Sequence, residues 1–156
     1  RAFGGRRQHG QRDRRWGRRS VRRDRRWRDL RFRRQHGAGV FRDLGAAGRF
    51  YEALLAPLGH EQTLAQEREL AYGPRGARQF FLYPVNGAQV AGLGVHIAFR
   101  AETEAAVNEA YAAALDHGAT TVRAAGLHPD IGPDYYGAIV LDHDGNKIEI
   151  VVGAMH

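Results

Sequence analysis

The run 134–152 constrains the chain most, because it is typical of two strands joined by a tight turn. Apolar and β-branched residues flank the Asp-Gly pair at 144–145, which tolerates the positive φ angles of a hairpin turn. On the second strand, Glu149 lies between Ile148 and Ile150 and belongs to the opposite face. A carboxylate in an apolar strand is rarely buried without a partner, so Glu149 is expected to meet a cation, a metal ion or water.

The net charge of +7 is divided unevenly along the chain. Residues 1–35 hold 16 arginines against three aspartates, a balance of +13, whereas residues 36–156 balance at −6. The charge pattern therefore predicts a basic, disordered arm and one mildly acidic domain, with the boundary near His36. The arm has three interpretations: a nucleic-acid-binding tail, a solvated extension, or a start of the reading frame that was assigned too early.

Composition excludes several classes of protein. The sequence contains no cysteine, which rules out disulfides and thiolate metal sites. No apolar run approaches the ~20 residues that a membrane-spanning helix needs. The first residues also lack the apolar core of a secretory signal, so a cytoplasmic location is expected.

Two predicted helices repeat at an offset of nearly 60 residues. Asp43 is placed to cap a helix that runs through Leu58, and Gly59 supplies its C-terminal stop. A second helix begins near Thr103 and ends at Gly118. The matching offset at both ends of the helices indicates an internal repeat.

Predicted strands surround each helix, so both halves of the domain have the order β-α-β-β-β. The fold class is therefore α+β, with modules at about 36–90 and 93–152. The predicted strands are 36–41, 62–66, 69–72 and 79–83 in the first module, and 94–100, 121–124, 135–141 and 147–152 in the second.

His36 and His96 are also 60 residues apart, each on the strand that precedes its helix. On the second of these strands the bulky Ile97 and Phe99 alternate with His96, which is therefore predicted to face away from the helix among small residues. Together with Glu149, the two histidines form a 2-His-1-carboxylate set. Such a set suits a divalent Fe, Mn, Ni or Zn ion and leaves positions open for a substrate.

Several motifs are similar to those of one known family. They are RDL at 42–44, RFYEALLAPLG at 49–59, VHIAFR at 95–100, and DYYGA at 134–138 running into DGNKIE at 144–149. In these motifs the chain resembles the vicinal oxygen chelate superfamily of glyoxalases, extradiol dioxygenases and bleomycin-resistance proteins. The resemblance covers 36–156 and nothing of the arm. It implies paired β-α-β-β-β modules whose curled mixed sheets enclose a cavity for metal and substrate.

The resemblance also implies roles for particular residues. The ligand positions match His36, His96 and Glu149, while Tyr135 and Tyr136 fall where the resemblance places cavity residues. A tyrosine there could donate a proton or a hydrogen bond during catalysis, and the alternative for each is packing in the core.

Two departures from the family pattern accompany these roles. Gly37 and Gly39 occupy places where such proteins usually carry large apolar residues. The place near Phe81, where glyoxalases of the lyase type carry a fourth, carboxylate ligand, holds no acid.

The leading functional hypothesis is a metal-dependent enzyme acting on a small oxygenated substrate, of dioxygenase, isomerase or glyoxalase-like lyase type. A metal-free protein that binds or sequesters a drug or metabolite is the alternative, in which Glu149 could form a structural ion pair with Arg100 or Arg49. Histidines in the loops, including His128, are interpreted as solvated. The expected partner is a small molecule rather than a membrane or a nucleic acid, and a homodimer is left open.

Overall fold

Each half of the chain contains one strand, one helix and three further strands, in the order that the 60-residue repeat predicts. The computed structural model describes residues 37–85 and 95–153. The arm 1–35 and His36, on which one domain boundary and one predicted metal ligand depend, lie outside the described residues. The elements are β1 (Gly37–Phe41), α1 (Leu44–Leu55), β2 (Glu61–Gln66), β3 (Glu69–Gly73), β4 (Phe80–Pro84), β5 (His96–Ala101), α2 (Glu104–Asp116), β6 (Thr120–Leu127), β7 (Tyr136–Leu141) and β8 (Lys147–Val152).

The two modules form separate four-stranded mixed sheets with the same connectivity. The strand orders are β1-β4-β3-β2 and β5-β8-β7-β6. In each sheet the strand before the helix pairs in parallel with the last strand, and the other pairs are antiparallel. The α+β class and the two β-α-β-β-β modules are therefore confirmed. That the sheets enclose a cavity between them stays a prediction.

Side-chain caps fix where both helices begin. The Asp43 carboxylate accepts a hydrogen bond from the amide of Ala46 at 2.9 Å, and the Thr103 hydroxyl accepts one from the amide of Ala106 at 3.1 Å. Each cap satisfies one of the amides that has no partner within the helix. The first helix continues as a single 3-10 turn at Ala56–Leu58 and stops at Gly59, whose φ of 75° is left-handed.

Replacing Asp43 with alanine is expected to lower the free energy of unfolding by about 1 kcal/mol, because the Ala46 amide loses its acceptor. Urea denaturation followed by circular dichroism measures this change. Asp43→Asn is the matched control, since an asparagine keeps an acceptor at the same place and should stay close to wild type. Equal losses in the two variants would show that the charge, and not the cap, stabilises the helix.

One hydrophobic core joins the two modules. Aromatic rings from three elements meet in it: Tyr51 of α1 lies 4.8 Å from Phe80 of β4, and Phe80 lies 5.2 Å from Phe99 of β5, measured between ring centroids. Both helices bury residues in the same cluster. Each described sheet therefore turns one face toward this core, and its opposite face is called the outer face.

Glycine in the first strand makes room for an aromatic ring. A Cβ atom on Gly39 would come within 2.7 Å of the Phe41 ring, which is 1% exposed in the core. The sequence departure at this position is thus compensated within the same strand, where Phe41 supplies the bulk that Gly39 lacks.

The turn between β7 and β8 is fastened to the first module. Asp142 is 7% exposed and accepts hydrogen bonds from the Tyr51 hydroxyl at 2.8 Å and from the Asn146 side chain at 2.8 Å. It also accepts from the backbone amides of Asp144 and Asn146, both at 2.9 Å. Burial, followed by the nearby Asp142 carboxylate, raises the pKa of the Tyr51 phenol well above its usual value.

Candidate functional site

Strand alternation brings two of the predicted ligands to the outer face of the second sheet. On β5, Phe99 packs in the core, so His96, an odd number of residues away, faces the other side. Parallel pairing with β8 sets Ala98 beside Glu149, one step along the same face from His96. The neighbours of Glu149 along β8, Ile148 and Ile150, are fully buried. Glu149 therefore lies on the outer face of the sheet, opposite the core, as the sequence predicts.

His96 and Glu149 are in direct contact. His96 Nε2 lies 2.8 Å from Glu149 Oε2, and the side chains are 46% and 14% exposed, respectively. The partner that the Glu149 carboxylate requires is thus an imidazole that solvent can reach. The alternative ion pair with Arg100 is not formed, because Arg100 lies 3.8 Å from Glu102 instead.

Tyr135 forms a hydrogen bond with the other oxygen of the same carboxylate. Its hydroxyl donates to Glu149 Oε1 at 2.6 Å, a distance typical of a charge-assisted hydrogen bond from a hydroxyl to a carboxylate. Burial raises the pKa of the Tyr135 phenol, and the hydrogen bond and negative charge of Glu149 raise it further. The phenol therefore keeps its proton at neutral pH and acts as a donor.

A polar cluster on β6 and the following loop lies beside Tyr135. The Arg123 guanidinium binds Asp130 through two hydrogen bonds of 3.0 and 2.7 Å, and these bonds hold the pKa of the Asp130 carboxyl below its usual value. Arg123 also lies 3.4 Å from His128 Nδ1. Because arginine only donates, His128 accepts there, and its Nε2 donates to the Ala124 carbonyl at 2.9 Å. His128 is half-buried and both of its ring nitrogens have protein partners, so it is held more firmly than a solvated loop residue.

Of the remaining predicted site residues, Tyr136 is not brought to the His96–Glu149–Tyr135 contacts. Tyr136 follows Tyr135 and so faces the helix side of β7, where its hydroxyl donates to Asn108 of α2 at 3.0 Å and its ring packs against the core. The structure thus gives Tyr136 the packing role that was its alternative. His36 lies outside the described residues.

The contacting atoms of His96 and Glu149 suit a divalent transition-metal ion. Imidazole nitrogen and carboxylate oxygen bind zinc at about 2.0–2.2 Å in tetrahedral geometry, so two ligand atoms of one zinc ion lie about 3.4 Å apart. The 2.8 Å between His96 Nε2 and Glu149 Oε2 is a hydrogen-bond distance, so the two atoms would have to separate by about 0.6 Å to share a zinc ion. Within 37–85 and 95–153, no group of three or more His, Cys, Asp or Glu side chains is arranged to hold a metal. His96 and Glu149 are two of the three ligands that the sequence predicts, and the third, His36, lies outside the described residues.

A separate cavity of about 150 Å³ lies where β1, the start of α1 and the β7–β8 turn meet. It does not include His96, Glu149 or Tyr135. Hydrogen bonds within the protein already satisfy the buried Asp142 carboxylate in its lining. Its lining is Phe41, Arg42, Asp43, Ala46, Ala47, Phe50, Tyr51, Asp142, His143 and Asp144.

Comparison with known proteins identifies the family to which these features correspond. The family model described as the glyoxalase/bleomycin resistance protein/dioxygenase superfamily matches residues 35–150. None of the curated proteins with which the sequence was compared matches it. In the parts of the chain that the structure describes, no helix is long and apolar enough to cross a membrane.

Solved structures share the fold over almost their whole length. A glyoxalase/bleomycin resistance protein from Albidiferax ferrireducens T118 is 26% identical with a TM-score of 0.66, covering 77% of this chain and 98% of its own. The fosfomycin resistance protein FosX from Mesorhizobium loti is 17% identical, with a TM-score of 0.56 and coverage of 78% and 92%. A lactoylglutathione lyase from Agrobacterium tumefaciens is 20% identical, with a TM-score of 0.53 and coverage of 76% and 92%. At these identities the last two show likeness of fold alone.

Proposed function

The chain belongs to the glyoxalase/bleomycin resistance protein/dioxygenase superfamily, and on that premise we propose that it is a divalent-metal-dependent enzyme acting on a small oxygenated substrate. The observation that carries the proposal is that His96 Nε2 and Glu149 Oε2 meet at 2.8 Å on the outer face of the second sheet, with the imidazole 46% exposed. A nitrogen donor and an oxygen donor side by side, one of them reached by solvent, are ligand types that suit one transition-metal ion.

Each residue of the site has a distinct role in this proposal. His96 and Glu149 hold the ion, with His36 as the expected third ligand. A divalent ion bound there supplies Lewis-acid chemistry to substrate oxygens. Tyr135 donates its phenol hydrogen to Glu149 Oε1 and orients that carboxylate, and its oxygen can still accept a hydrogen bond from a substrate hydroxyl.

The chemistry of the first sheet supports a three-ligand site. Phe81 lies on β4 and pairs with Ala38 of β1. Lyase-type glyoxalases resemble one another in carrying their fourth metal ligand, a carboxylate, near this place. The Phe81 ring stacks on that of Tyr83 at 6.3 Å between centroids. An aromatic pair there supplies no fourth ligand, which favours dioxygenase or isomerase chemistry over the standard lactoylglutathione lyase reaction.

Metal content tests the proposal directly. Protein purified without chelator is expected to contain about one equivalent of a divalent transition metal by mass spectrometry, and His96→Ala and Glu149→Gln should bind it at least tenfold more weakly in calorimetric titration. His117→Ala is the matched control, because that histidine caps the end of α2 through the Ala113 carbonyl. Wild-type affinity in both site variants would contradict the proposal.

A metal-free binding protein is the second candidate, favoured by one specific observation. Both oxygens of Glu149 already have protein partners, Tyr135 on Oε1 and His96 on Oε2, so the carboxylate is satisfied without an ion. This candidate predicts no metal in any preparation and no stabilisation by added Mn²⁺, Fe²⁺, Ni²⁺ or Zn²⁺ in thermal unfolding.

A further inference from the structure

The Tyr135 side chain reaches Glu149 because its ring lies along the direction of β7 and does not project at a right angle from the sheet. Ile139, not Tyr135, is the residue of β7 that pairs with Glu149. At roughly 3.4 Å per residue, Tyr135 starts about 13 Å along the strand from that pair. The phenol nevertheless contacts Glu149 Oε1 at 2.6 Å, so its ring must extend over the strand position between them.

The position between them is Gly137, which belongs to the same face as Tyr135 and Ile139 by alternation. A Cβ atom on Gly137 would lie 2.9 Å from both Cε1 and the hydroxyl oxygen of Tyr135. Such distances are too short for carbon against either atom, so the ring would have to shift, and its hydroxyl is the atom that holds Glu149 at 2.6 Å. The missing side chain of Gly137 is thus the space that the ring occupies.

We infer that Gly137 is a positioning residue which seats Tyr135 on Glu149 Oε1 and thereby makes the carboxylate a one-oxygen ligand through Oε2, beside His96. This inference rests on the proposed metal site. With Oε1 engaged by the phenol, Oε2 alone is directed to the imidazole nitrogen. Partners that orient a ligand in this way typically change metal affinity 10–100-fold when they are removed.

A carboxylate that binds through one oxygen favours one class of metal ion over another. A one-oxygen carboxylate beside an imidazole suits zinc and similar transition-metal ions, whereas calcium takes six to eight oxygens and often both oxygens of a carboxylate. Releasing Oε1 should therefore weaken Zn²⁺ binding and leave Ca²⁺ binding equal or stronger.

Calorimetric titration with Zn²⁺ and Ca²⁺ tests the inference in the full chain. Tyr135→Phe and Gly137→Ala are each expected to weaken Zn²⁺ binding by about tenfold. Gly132→Ala is the matched control, because its Cβ would meet Tyr135 at an ordinary 3.7 Å and should leave the affinity unchanged. Zn²⁺ affinity within twofold of wild type in Gly137→Ala would overturn the inference.

A double-variant cycle separates positioning from damage to the strand, since a Cβ on Gly137 would also lie 2.8 Å from the Ile150 carbonyl. In a Tyr135→Ala background the ring is gone, so Gly137→Ala should cause no further loss of Zn²⁺ affinity. An additional tenfold loss in that background would assign the effect to the backbone and overturn the positioning role.

The Tyr135–Glu149 hydrogen bond can be measured in the metal-free protein, so the positioning role can be tested separately from the proposed function. The short Tyr135–Glu149 hydrogen bond should give a downfield hydroxyl proton signal in the metal-free protein, absent from Tyr135→Phe and Gly137→Ala but present in Gly132→Ala. Persistence of the signal in Gly137→Ala would overturn the positioning role. Failure of wild type to bind Zn²⁺ would overturn the proposed function and the one-oxygen ligand with it.

Discussion

Replacing Phe99 with alanine is expected to lower the free energy of unfolding by about 3–5 kcal/mol, the range for large aromatic residues in a core. Phe99 is 9% exposed, and its ring packs edge-to-face on Phe80 at 5.2 Å and lies 6.5 Å from Tyr51. These contacts join β5 of the second module to β4 and α1 of the first. Urea denaturation followed by circular dichroism measures the loss.

Phe99→Leu is the matched control for this prediction. Leucine keeps the position apolar but is smaller than the ring, so its cost should be well below that of alanine. A change of less than 1 kcal/mol in Phe99→Ala would mean that the modules are held together elsewhere. His96 lies on the same strand, so site variants should be interpreted beside these stability measurements.

Replacing Asp142 with asparagine is expected to cost about 3 kcal/mol, although the two side chains have the same shape. The carboxylate accepts from four donors, and Asn146 supplies two of them. The asparagine side chain has only one accepting oxygen, and an NH₂ group takes the place of the other. Two of the four donors would then face that NH₂ group: either the backbone amides of Asp144 and Asn146, or the Tyr51 hydroxyl and the Asn146 side chain. Each buried donor left without an acceptor costs about 1–3 kcal/mol.

Tyr51→Phe separates the contributions of these donors. That variant removes one donor and leaves the Asp142 carboxylate with three, so a loss of about 1 kcal/mol is expected in the same urea titration. If the free energy of unfolding of Asp142→Asn is within 1 kcal/mol of that of wild type, the bonds of this turn do not hold the two modules together.

Local sequence rules predicted the modules and one part of the site. Alternation on β5 and β8 put His96 and Glu149 on one face because each strand also carries large apolar residues that must be buried, Phe99 in one and Ile148 and Ile150 in the other. The helix ends followed from Asp43 and from glycine stops. These features depend on near neighbours in the sequence, which is why the sequence alone predicts them.

Contacts that depend on the meeting of distant segments could not be predicted. Asp142 appears in the sequence as part of a turn, yet its Tyr51 partner is 91 residues away. Tyr135 and Tyr136 are indistinguishable by type, and only the start of β7 decides which one reaches Glu149. The signal that could have found this contact is Gly137, a glycine inside an apolar strand, which often marks a close approach.

The fastening of the β7–β8 turn has a consequence for how the molecule opens. Asn146, which bonds to Asp142 through its amide and its side chain, is followed directly by the strand that carries Glu149. Fraying of that strand from its first residue would break both Asn146 bonds to the buried carboxylate that also holds the Tyr51 hydroxyl. The amides at the start of this strand should accordingly exchange hydrogen more slowly than those of an unfastened strand end.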